Sequence, residues 1–380
     1  MEQRIKEILE DDFWIMPATP EYINEGIPYI TSKNIKKGRI DFTKVNYISK
    51  ESYDSISKNR PILVGDILIS MIGTLGETAE VKKSDGLFYG QNMFLIRLDE
   101  SKVNKRYFLN FFKSNGVKRA LEGNQNQSTQ KYLKANHIED LIIPIPSLSE
   151  QQHIAAVLDK VSELIDLRKR QLAKLDELVK SRFVEMFVGK GYPEKTVHDV
   201  LSTGFWLMPA TPKYVENGTI PYITSKNIKN RSIDFDNVKY ISEEAFEGIS
   251  ANRPTSMGDI LVSMIGTLGQ TAVISDDRKF YGQNLYLLRL NNQIVNTGYF
   301  CEFFNSDEAQ HILQGKCNQS TQAYLKANHV EDLVLPVPPM EKQEQFAAFV
   351  IQVDKSKTVV QQSLDKLETV KKSLMQEYFG

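Results

Sequence analysis

Short hydrophobic runs alternate with polar turn residues along most of the chain, and the runs are rich in β-branched side chains. Clear examples lie at 27–31, 66–72 and 93–98, each bounded by Gly, Asn or Pro. Such runs are typical of strands. A helical pattern follows at 105–121 and again at 297–313. We therefore predict mixed α+β domains that are rich in short strands.

The same pattern occurs twice along the chain. The sequence FWIMPATPEYINEGIPYITSKNIKKGRIDF begins at Phe13, and FWLMPATPKYVENGTIPYITSKNIKNRSIDF begins at Phe205. The segments SMIGTLG, FYGQN and NQSTQ also recur about 192 residues later. Solenoid repeats have periods of roughly 20 to 50 residues, so this longer period indicates a duplicated domain. Two like domains in one chain predict approximate two-fold symmetry.

A long helix with heptad spacing is predicted after each copy. Apolar residues step by four and three, with Arg168 and Arg182 interrupting the first seam and Lys357 and Lys371 the second. This spacing is typical of a coiled coil. Two-fold symmetry favours an antiparallel pair that separates the two domains, although each helix could instead pack on its own domain. The predicted seam residues are Ile154, Leu158, Val161, Ile165, Leu172, Leu175, Val179, Phe346, Val350, Val353, Val360, Leu364, Leu367 and Leu374.

Composition adds limits to this prediction. The chain has 380 residues, of which 41% are hydrophobic, enough for two ordinary cores. Its apolar runs are too short to cross a membrane and residues 1–12 are too charged for a signal peptide, so we expect a cytoplasmic protein. Cys301 and Cys317 have no cysteine counterparts in the first copy, which argues against a disulfide or a metal site.

Charge argues against strong, sequence-independent binding to phosphate. Lys and Arg total 47 against 48 Asp and Glu, and the second copy is net acidic. Tight nonspecific binding of nucleic acid requires a dense basic surface. If the chain binds nucleic acid, we expect a partner to supply much of the phosphate neutralisation.

Catalytic motifs are absent from the sequence. We find no G-x-G-x-x-G or P-loop, no N-P-P-Y or D-P-P-Y motif for adenine methylation, and no P-D…E-x-K nuclease pattern. His137 and His329 are the only histidines that occur in both copies. Their acidic neighbours favour a structural role between helix and strand over catalysis. The sequence therefore favours a binding protein over an enzyme.

Three polar clusters recur in both copies and offer the groups that nucleic acid requires. Asn and Gln can pair with adenine and Lys or Arg with guanine, while hydroxyls and backbone amides bind phosphates. The first-copy residues are Thr31, Ser32, Lys33, Asn34 and Lys36; Thr74 of the GTLG turn with Gln91 and Asn92; and Asn126, Gln127, Ser128, Thr129, Gln130, Tyr132 and Lys134. Their second-copy counterparts are Thr224, Ser225, Lys226, Asn227 and Lys229; Thr267, Gln283 and Asn284; and Asn318, Gln319, Ser320, Thr321, Gln322, Tyr324 and Lys326.

Each cluster also has a structural interpretation. The first could equally be a solvated turn between strands. The glycines of the second could be hairpin residues rather than a close approach to phosphate. The third could be a helix cap, although five consecutive polar side chains are poor core material and favour binding.

These motifs together resemble a known family. The GTLG turn, the YGQN segment, the STQ-Y-L run, and IPIP-x-x-x-E-Q-Q-x-I-A before a long heptad helix are similar to the specificity subunits of type I restriction-modification systems. The likeness covers essentially the whole chain. The helix-entry motif is complete in SEQQHIAAVL from Ser149 and altered in EKQEQFAAFV from Glu341.

The resemblance implies a function and a set of partners. It implies target recognition domains at 1–148 and 191–340, each reading half of a split DNA sequence, and spacer helices at 149–190 and 341–380. The helices would bind two methyltransferase subunits, and restriction subunits would join indirectly. The chain itself would be non-catalytic, without metal or cofactor, and S-adenosylmethionine would be held by the methyltransferase subunits.

The close match between the two sets of clusters predicts a symmetric target. Two like readers that face opposite strands would read an interrupted palindrome, with half-sites roughly 10 bp apart. Two other functions stay open. The chain could be an orphan that competes for DNA or sequesters methyltransferases, or it could be an enzyme with an unrecognised catalytic site.

Overall fold

A computed structural model of the chain describes residues 2–73, 75–123, 132–207, 212–229, 231–266, 268–317 and 323–380. Contacts divide the chain into two compact units. Unit 1 comprises Met1–Lys169 and Gln362–Gly380, and unit 2 comprises Arg170–Gln361. Each unit therefore contains one globular copy of the repeat together with part of each long helix.

The first copy and its long helix form the elements β1 (Glu2–Arg4), β2 (Leu9–Ile15), β3 (Ile27–Thr31), β4 (Ile35–Lys36), β5 (Arg39–Ile40), β6 (Asn46–Ile48), α1 (Lys50–Ser57), β7 (Ile67–Ser70), β8 (Thr78–Glu80), β9 (Tyr89–Gln91), β10 (Met93–Leu98), α2 (Lys105–Phe112), α3 (Asn115–Gly123), α4 (Ala135–Glu139), β11 (Ile142–Pro144) and α5 (Leu148–Phe187).

The second copy follows the same order with β12 (Glu194–Thr196), β13 (Leu201–Leu207), β14 (Ile220–Ile223), β15 (Ile228–Lys229), β16 (Ser232–Ile233), β17 (Lys239–Ile241), α6 (Glu243–Ser250), β18 (Ile260–Ser263), β19 (Thr271–Val273), β20 (Tyr281–Gly282), β21 (Leu285–Leu290), α7 (Thr297–Phe304), α8 (Asp307–Gly315), α9 (Ala327–Glu331), β22 (Val334–Pro336) and α10 (Met340–Phe379).

The central sheet of unit 1 is buried on both faces. It is antiparallel, in the order β2-β10-β7-β8. Because successive side chains of a strand point to opposite faces, Ile67 and Ile69 pack with helices α2 and α3. Leu68 faces the other way, into a core shared with the β6-β3-β9 sheet, in which β3 and β9 are parallel. The short pairs β1-β11 and β4-β5 complete the copy.

Unit 2 repeats this arrangement. Its central sheet has the order β13-β21-β18-β19, and its smaller sheet is β17-β14-β20 with β14 and β20 parallel. Ile260 and Val262 pack with α7 and α8, whereas Leu261 faces the smaller sheet. The short pairs β12-β22 and β15-β16 match those of unit 1. The predicted mixed, duplicated fold is therefore confirmed.

Segments of the two long helices run antiparallel in unit 1. Lys169 of α5 forms an ion pair of 2.9 Å with Glu368 of α10. Lys371, further along α10, interacts with Asp166, which comes earlier in α5. Arg168, one of the predicted interruptions, donates from Nε to the Ser363 hydroxyl at 3.2 Å. Charged interruptions of the seam thus form cross-helix contacts.

The same direction holds for the helix segments in unit 2. Lys357, another interruption of the seam, lies 2.7 Å from the Asp176 carboxylate. The rings of Phe187 and Phe346, at the far ends of these segments, are 5.3 Å apart. Pairing of the helices, rather than separate packing on each domain, is therefore confirmed within each unit.

The predicted seam is largely buried. The buried members are Ile154, Leu158, Ile165, Val179, Phe346, Val350, Val353, Val360 and Leu364, and the half-buried ones are Val161, Leu172, Leu175, Leu367 and Leu374. In the described ranges, no helix is long and apolar enough to span a membrane.

Candidate nucleic-acid interface

The described parts of the three predicted clusters meet at the backbone of Met71 in unit 1. Its amide donates to the Ser32 hydroxyl at 3.3 Å and to the Asn92 carbonyl at 3.4 Å. Its carbonyl accepts a hydrogen bond of 3.0 Å from the amide of Leu133, next to Tyr132. The Ser32 hydroxyl in turn donates to the Asn92 carbonyl. We call this point the Met71 junction.

Unit 2 contains the equivalent Met264 junction. The Met264 amide donates to the Asn284 carbonyl at 3.2 Å, and the Ser225 hydroxyl donates to the same carbonyl at 3.1 Å. The Met264 carbonyl accepts from Leu325 at 2.8 Å. Both copies therefore hold the three polar segments together in the same way. Neither methionine was among the predicted site residues, although both follow the repeated Ser of SMIGTLG.

Backbone geometry explains the YGQN segment. Asn92 and Asn284 both adopt φ 62°, a left-handed conformation that asparagine tolerates better than most residues. Gly90 lies so close to β3 that a Cβ there would come within 2.4 Å of the Ile30 carbonyl oxygen. The glycine therefore permits close pairing of β9 with β3, and the asparagine turns its carbonyl towards the junction.

The GTLG turn connects β7 to β8 as a hairpin. Gly73 and Gly76 adopt φ 85° and 75°, and the Gly76 amide donates to the Ser70 carbonyl at 3.0 Å. This geometry supports the hairpin interpretation of the glycines. Thr74 and its counterpart Thr267 lie outside the described residues.

Asn34 of the first cluster is engaged within the fold. Its Oδ1 accepts from the Thr31 amide at 2.9 Å, and its Nδ2 donates to the carbonyls of Asp41 and Lys44 at 2.8 and 3.1 Å. Asn227 repeats the contacts to Thr224 and to the Asp234 carbonyl at 3.0 and 2.9 Å.

The lysines of this cluster point outward. Lys33 and Lys226 are exposed. Lys36 and Lys229 are also exposed and form ion pairs of 3.0 and 2.7 Å with Asp41 and Asp234. Hydrogen bonds from Thr43 and then Lys36 lower the pKa of Asp41, and the pKa of Asp234 is lowered chiefly by Lys229. Exposed ion pairs contribute little stability, so these lysines remain available to a phosphate.

Gln91 and Gln283 are half-buried at the ends of their segments. The Gln283 amide donates to the Ile223 carbonyl at 3.1 Å, and its side-chain oxygen accepts from the Tyr222 hydroxyl at 3.4 Å. Gln91 pairs with Thr31 in the parallel β3-β9 ladder. The first and second clusters are therefore adjacent in each unit.

The third cluster is described only at its end. Tyr132 and Tyr324 are half-buried and form isolated bridges with Ile72 and Ile265. Lys134 and Lys326 follow and are exposed. The remaining predicted residues lie outside the described ranges: Asn126, Gln127, Ser128, Thr129, Gln130, Asn318, Gln319, Ser320, Thr321 and Gln322.

The two repeated histidines are part of these segments. His137 Nδ1 accepts from the Lys134 amide at 3.3 Å, and His329 accepts from Lys326 at the same distance. Burial, and then repulsion by these lysines, lowers the pKa of both imidazoles. This contact supports the structural role expected for the histidines.

One contact distinguishes the second copy. Arg231, at the position of Gly38 in the first copy, adopts φ 63° and forms an ion pair with Glu302 of α7. Glu302 is buried and replaces Asn110, which instead donates to Asp159 at 3.1 Å. Burial raises the pKa of Glu302, and Arg231 opposes this rise. The β15-β16 hairpin is thus anchored by an ion pair that the first copy does not have.

No metal-binding group was found in the described ranges, where no three His, Cys, Asp or Glu side chains are placed to hold an ion. Cys301 and Cys317 are both free thiols.

Comparisons with known proteins agree with this geometry. A family model for the type I restriction modification DNA specificity domain matches residues 4–177 and 191–369. The chain belongs to the type I restriction-modification specificity family. Its members are the non-catalytic, DNA-recognising subunits of these systems, so the predictions of family, of DNA-sequence recognition and of a non-enzymatic chain are confirmed.

Individual relatives extend over most of the chain. The specificity subunit of the EcoBI type I restriction enzyme of Escherichia coli is 20% identical over 93% of this chain and 80% of its own length. That of the MjaIX enzyme of Methanocaldococcus jannaschii is 22% identical over 92% and 85%. The crystal structure of an S subunit from M. genitalium has the same fold, with a TM-score of 0.60 at 14% identity over 100% of this chain and 96% of that one.

Proposed function

We propose that this specificity subunit reads a bipartite DNA sequence, one half with each globular copy. The proposed target recognition domains are 1–148 and 191–340, and the proposed spacer helices are 149–190 and 341–380. The equivalence of the Met71 and Met264 junctions carries this proposal, because each junction brings the same three polar segments together.

The proposed DNA contacts are the residues of the three clusters in both copies. The exposed lysines Lys33, Lys36 and Lys134 and their counterparts are suited to phosphates or guanine. The buried side chains of Ser32 and Asn34 would position these lysines rather than read bases. Since the clusters match almost residue for residue, we propose an interrupted palindrome with half-sites about one helical turn apart.

The proposed division of labour assigns chemistry to partner subunits. Two methyltransferase subunits would dock on the paired helices and transfer methyl groups from S-adenosylmethionine, which they would hold themselves. Restriction subunits would join through them, and the complex would act on double-stranded DNA in the cytoplasm. With 47 basic against 48 acidic side chains, the chain needs these partners to neutralise phosphates.

Equivalent substitutions in the two copies test this proposal. On a duplex with both half-sites, Lys33→Ala and Lys226→Ala should weaken binding by equal amounts, about 1 to 3 kcal/mol for a base contact. The double variant should lose the sum, because independent sites add. Lys58→Ala, which removes another exposed lysine of unit 1, serves as the control. A loss in only one of the single variants would argue against two equivalent readers.

A further inference from the structure

A groove of about 1160 Å³ lies entirely within unit 1, between α2, α3 and the two long helices. Apolar side chains are few along its walls: Leu109, Ala156, Ile165 and Met375. Its basic residues are Arg106, Lys113, Lys118, Lys160, Lys169, Lys371 and Lys372.

Only part of this basic charge is neutralised. Arg106, Lys160 and Lys169 form ion pairs of 3.2, 2.9 and 2.9 Å with carboxylates of the groove. Within the described part of the chain, four groove lysines have no ion-pair partner: Lys113, Lys118, Lys371 and Lys372. Against its seven basic residues the groove has five carboxylates, Glu80, Asp159, Glu163, Asp166 and Glu368. It therefore keeps an excess of two positive charges in a chain that is close to neutral overall.

Lys371 shows how closely these charges are placed. It is half-buried, and its pKa is lowered by burial first and by the positive charge of Lys113 next. Asp166 offsets only part of this effect. An anion entering the groove would relieve the repulsion between the two lysines.

The corresponding region of unit 2 lacks most of these basic side chains. Asn305, Gln310 and Val179 occupy the positions of Lys113, Lys118 and Lys371. The one lysine that is kept there, Lys180, is paired with Asp307 at 2.7 Å. The groove of unit 2 is instead lined by the carboxylates of Glu302, Glu344 and Asp354 and by several aliphatic side chains. Its one basic residue in the described lining, Arg231, is paired with Glu302. At the described positions that correspond to this groove, unpaired lysines are thus found in unit 1 and not in unit 2.

The lining of the groove favours nucleic acid over a protein partner. Stable protein interfaces have an apolar core depleted of charged residues, whereas protein–DNA interfaces are more polar and strongly positive. Flexible lysines without carboxylate partners suit the phosphates of a DNA backbone, which require charge but no fixed geometry.

We propose that the unit 1 groove is a one-sided, sequence-independent contact for the DNA phosphate backbone, additional to the two recognition surfaces. This inference rests on the proposed function, in which the chain binds DNA. The contact would add affinity and salt dependence without changing which sequence is read. It would act on the unit 1 side only, since unit 2 offers no equivalent charge.

A matched pair of double variants tests this contact. Lys371→Gln/Lys372→Gln removes two groove lysines, and Lys355→Gln/Lys366→Gln removes two exposed lysines of the same helix that do not line the groove. Binding of the full chain to a mixed-sequence duplex is followed by fluorescence anisotropy over a range of salt concentrations. We expect the groove variant to lower the slope of log K against log salt by about 2, and the control to leave it unchanged.

Three results would overturn the proposal. Equal slopes for wild type and groove variant would show that the groove touches no phosphates. An equal decrease in both double variants would indicate a general effect of net charge. A loss of methyltransferase assembly, with DNA binding by the chain unchanged, would assign the groove to an acidic protein surface. The ratio of target to non-target affinity should stay constant in the groove variant, and a changed ratio would contradict a sequence-independent contact.

Discussion

The side-chain oxygen of Gln343 accepts a hydrogen bond of 2.8 Å from the backbone amide of Asn296, the residue that caps α7. The side-chain amide of Gln343 donates to the carbonyls of Ile294 and Pro338 at 3.1 and 2.8 Å. In the first copy Gln151 bonds Asn104 in the same way, also at 2.8 Å. Each fully buried glutamine thus fastens the start of a long helix to its globular copy.

Replacing this glutamine should destabilise unit 2. Gln343→Ala removes the partner of three main-chain groups, of which that of Pro338 is buried and those of Ile294 and Asn296 are partly buried. We expect the free energy of unfolding to fall by about 2 to 3 kcal/mol. Urea denaturation measures the change. Gln345→Ala, at an exposed position of the same helix, should have little effect. Equal stability of the two variants would show that the Gln343 contacts are not required.

Substitutions of Arg231 and Glu302 should have strongly coupled effects on the free energy of unfolding. Arg231→Gly restores the first-copy residue and removes a positive-φ arginine, but it leaves the buried Glu302 carboxylate unpaired, so we expect a loss of about 2 kcal/mol. Glu302→Asn, the other first-copy residue, should cost less. The double variant should be more stable than the sum of the two single effects by about 1 to 2 kcal/mol. Additive unfolding energies would contradict the coupling.

Aromatic packing should contribute strongly to the stability of unit 2 where the ends of the two long-helix segments meet. In unit 2 the Phe346 ring lies 5.6 Å from Phe183 and 5.3 Å from Phe187, and all three are buried. Phe346→Ala should therefore lower the free energy of unfolding by about 3 to 5 kcal/mol. Val359→Ala, on the exposed face of α10, is the matched truncation and should cost little. A loss below 1 kcal/mol for Phe346→Ala, about the cost of an average mutation, would contradict this account of the core.

The histidine contacts predict a specific pH dependence. His137 and His329 have a native pKa below the ordinary 6.5. Above pH 6.5 both imidazoles are neutral in the folded and in the unfolded chain, so their contribution to stability is complete. Below pH 6.5 the unfolded chain takes up protons first, and stability falls until the pH has passed the native pKa.

Urea unfolding at about pH 7 and about pH 5 measures this loss. His137→Gln/His329→Gln should reduce the difference between the two values, whereas His153→Gln/His311→Gln, at exposed positions, should not. An identical pH difference in both double variants would mean that the partly buried imidazoles of His137 and His329 do not contribute.

Local patterns in the sequence predicted most of the fold. The strands at 27–31 and 93–98 and the seam around Leu158 are observed, because alternation and heptad spacing reflect which side of an element is buried. The helical stretch at 105–121 is instead two helices. They divide at Ser114, whose hydroxyl accepts from the Val117 amide at 3.3 Å and caps the second helix.

Contacts between distant residues could not be read from local patterns. Phe379 packs 5.2 Å from Tyr107, so the end of the second helix completes the core of unit 1, and no periodicity indicates this partnership. At the Met71 and Met264 junctions the methionines contribute only main-chain atoms, so the repetition of SMIGTLG was the only sign of them in the sequence. Gln343 had a clearer signal, since it survives in the altered EKQEQFAAFV motif.

Mapping of DNA methylation tests the central claim most directly. The chain is co-expressed with a methyltransferase subunit of its own system in a host without DNA methylation, and modified adenines are located by sequencing. We predict methylation at an interrupted palindrome, because the two copies present matching clusters at matching junctions. Two unrelated half-sites would contradict equivalent readers, and assembly of the subunits without any methylation would contradict the proposed role in directing modification.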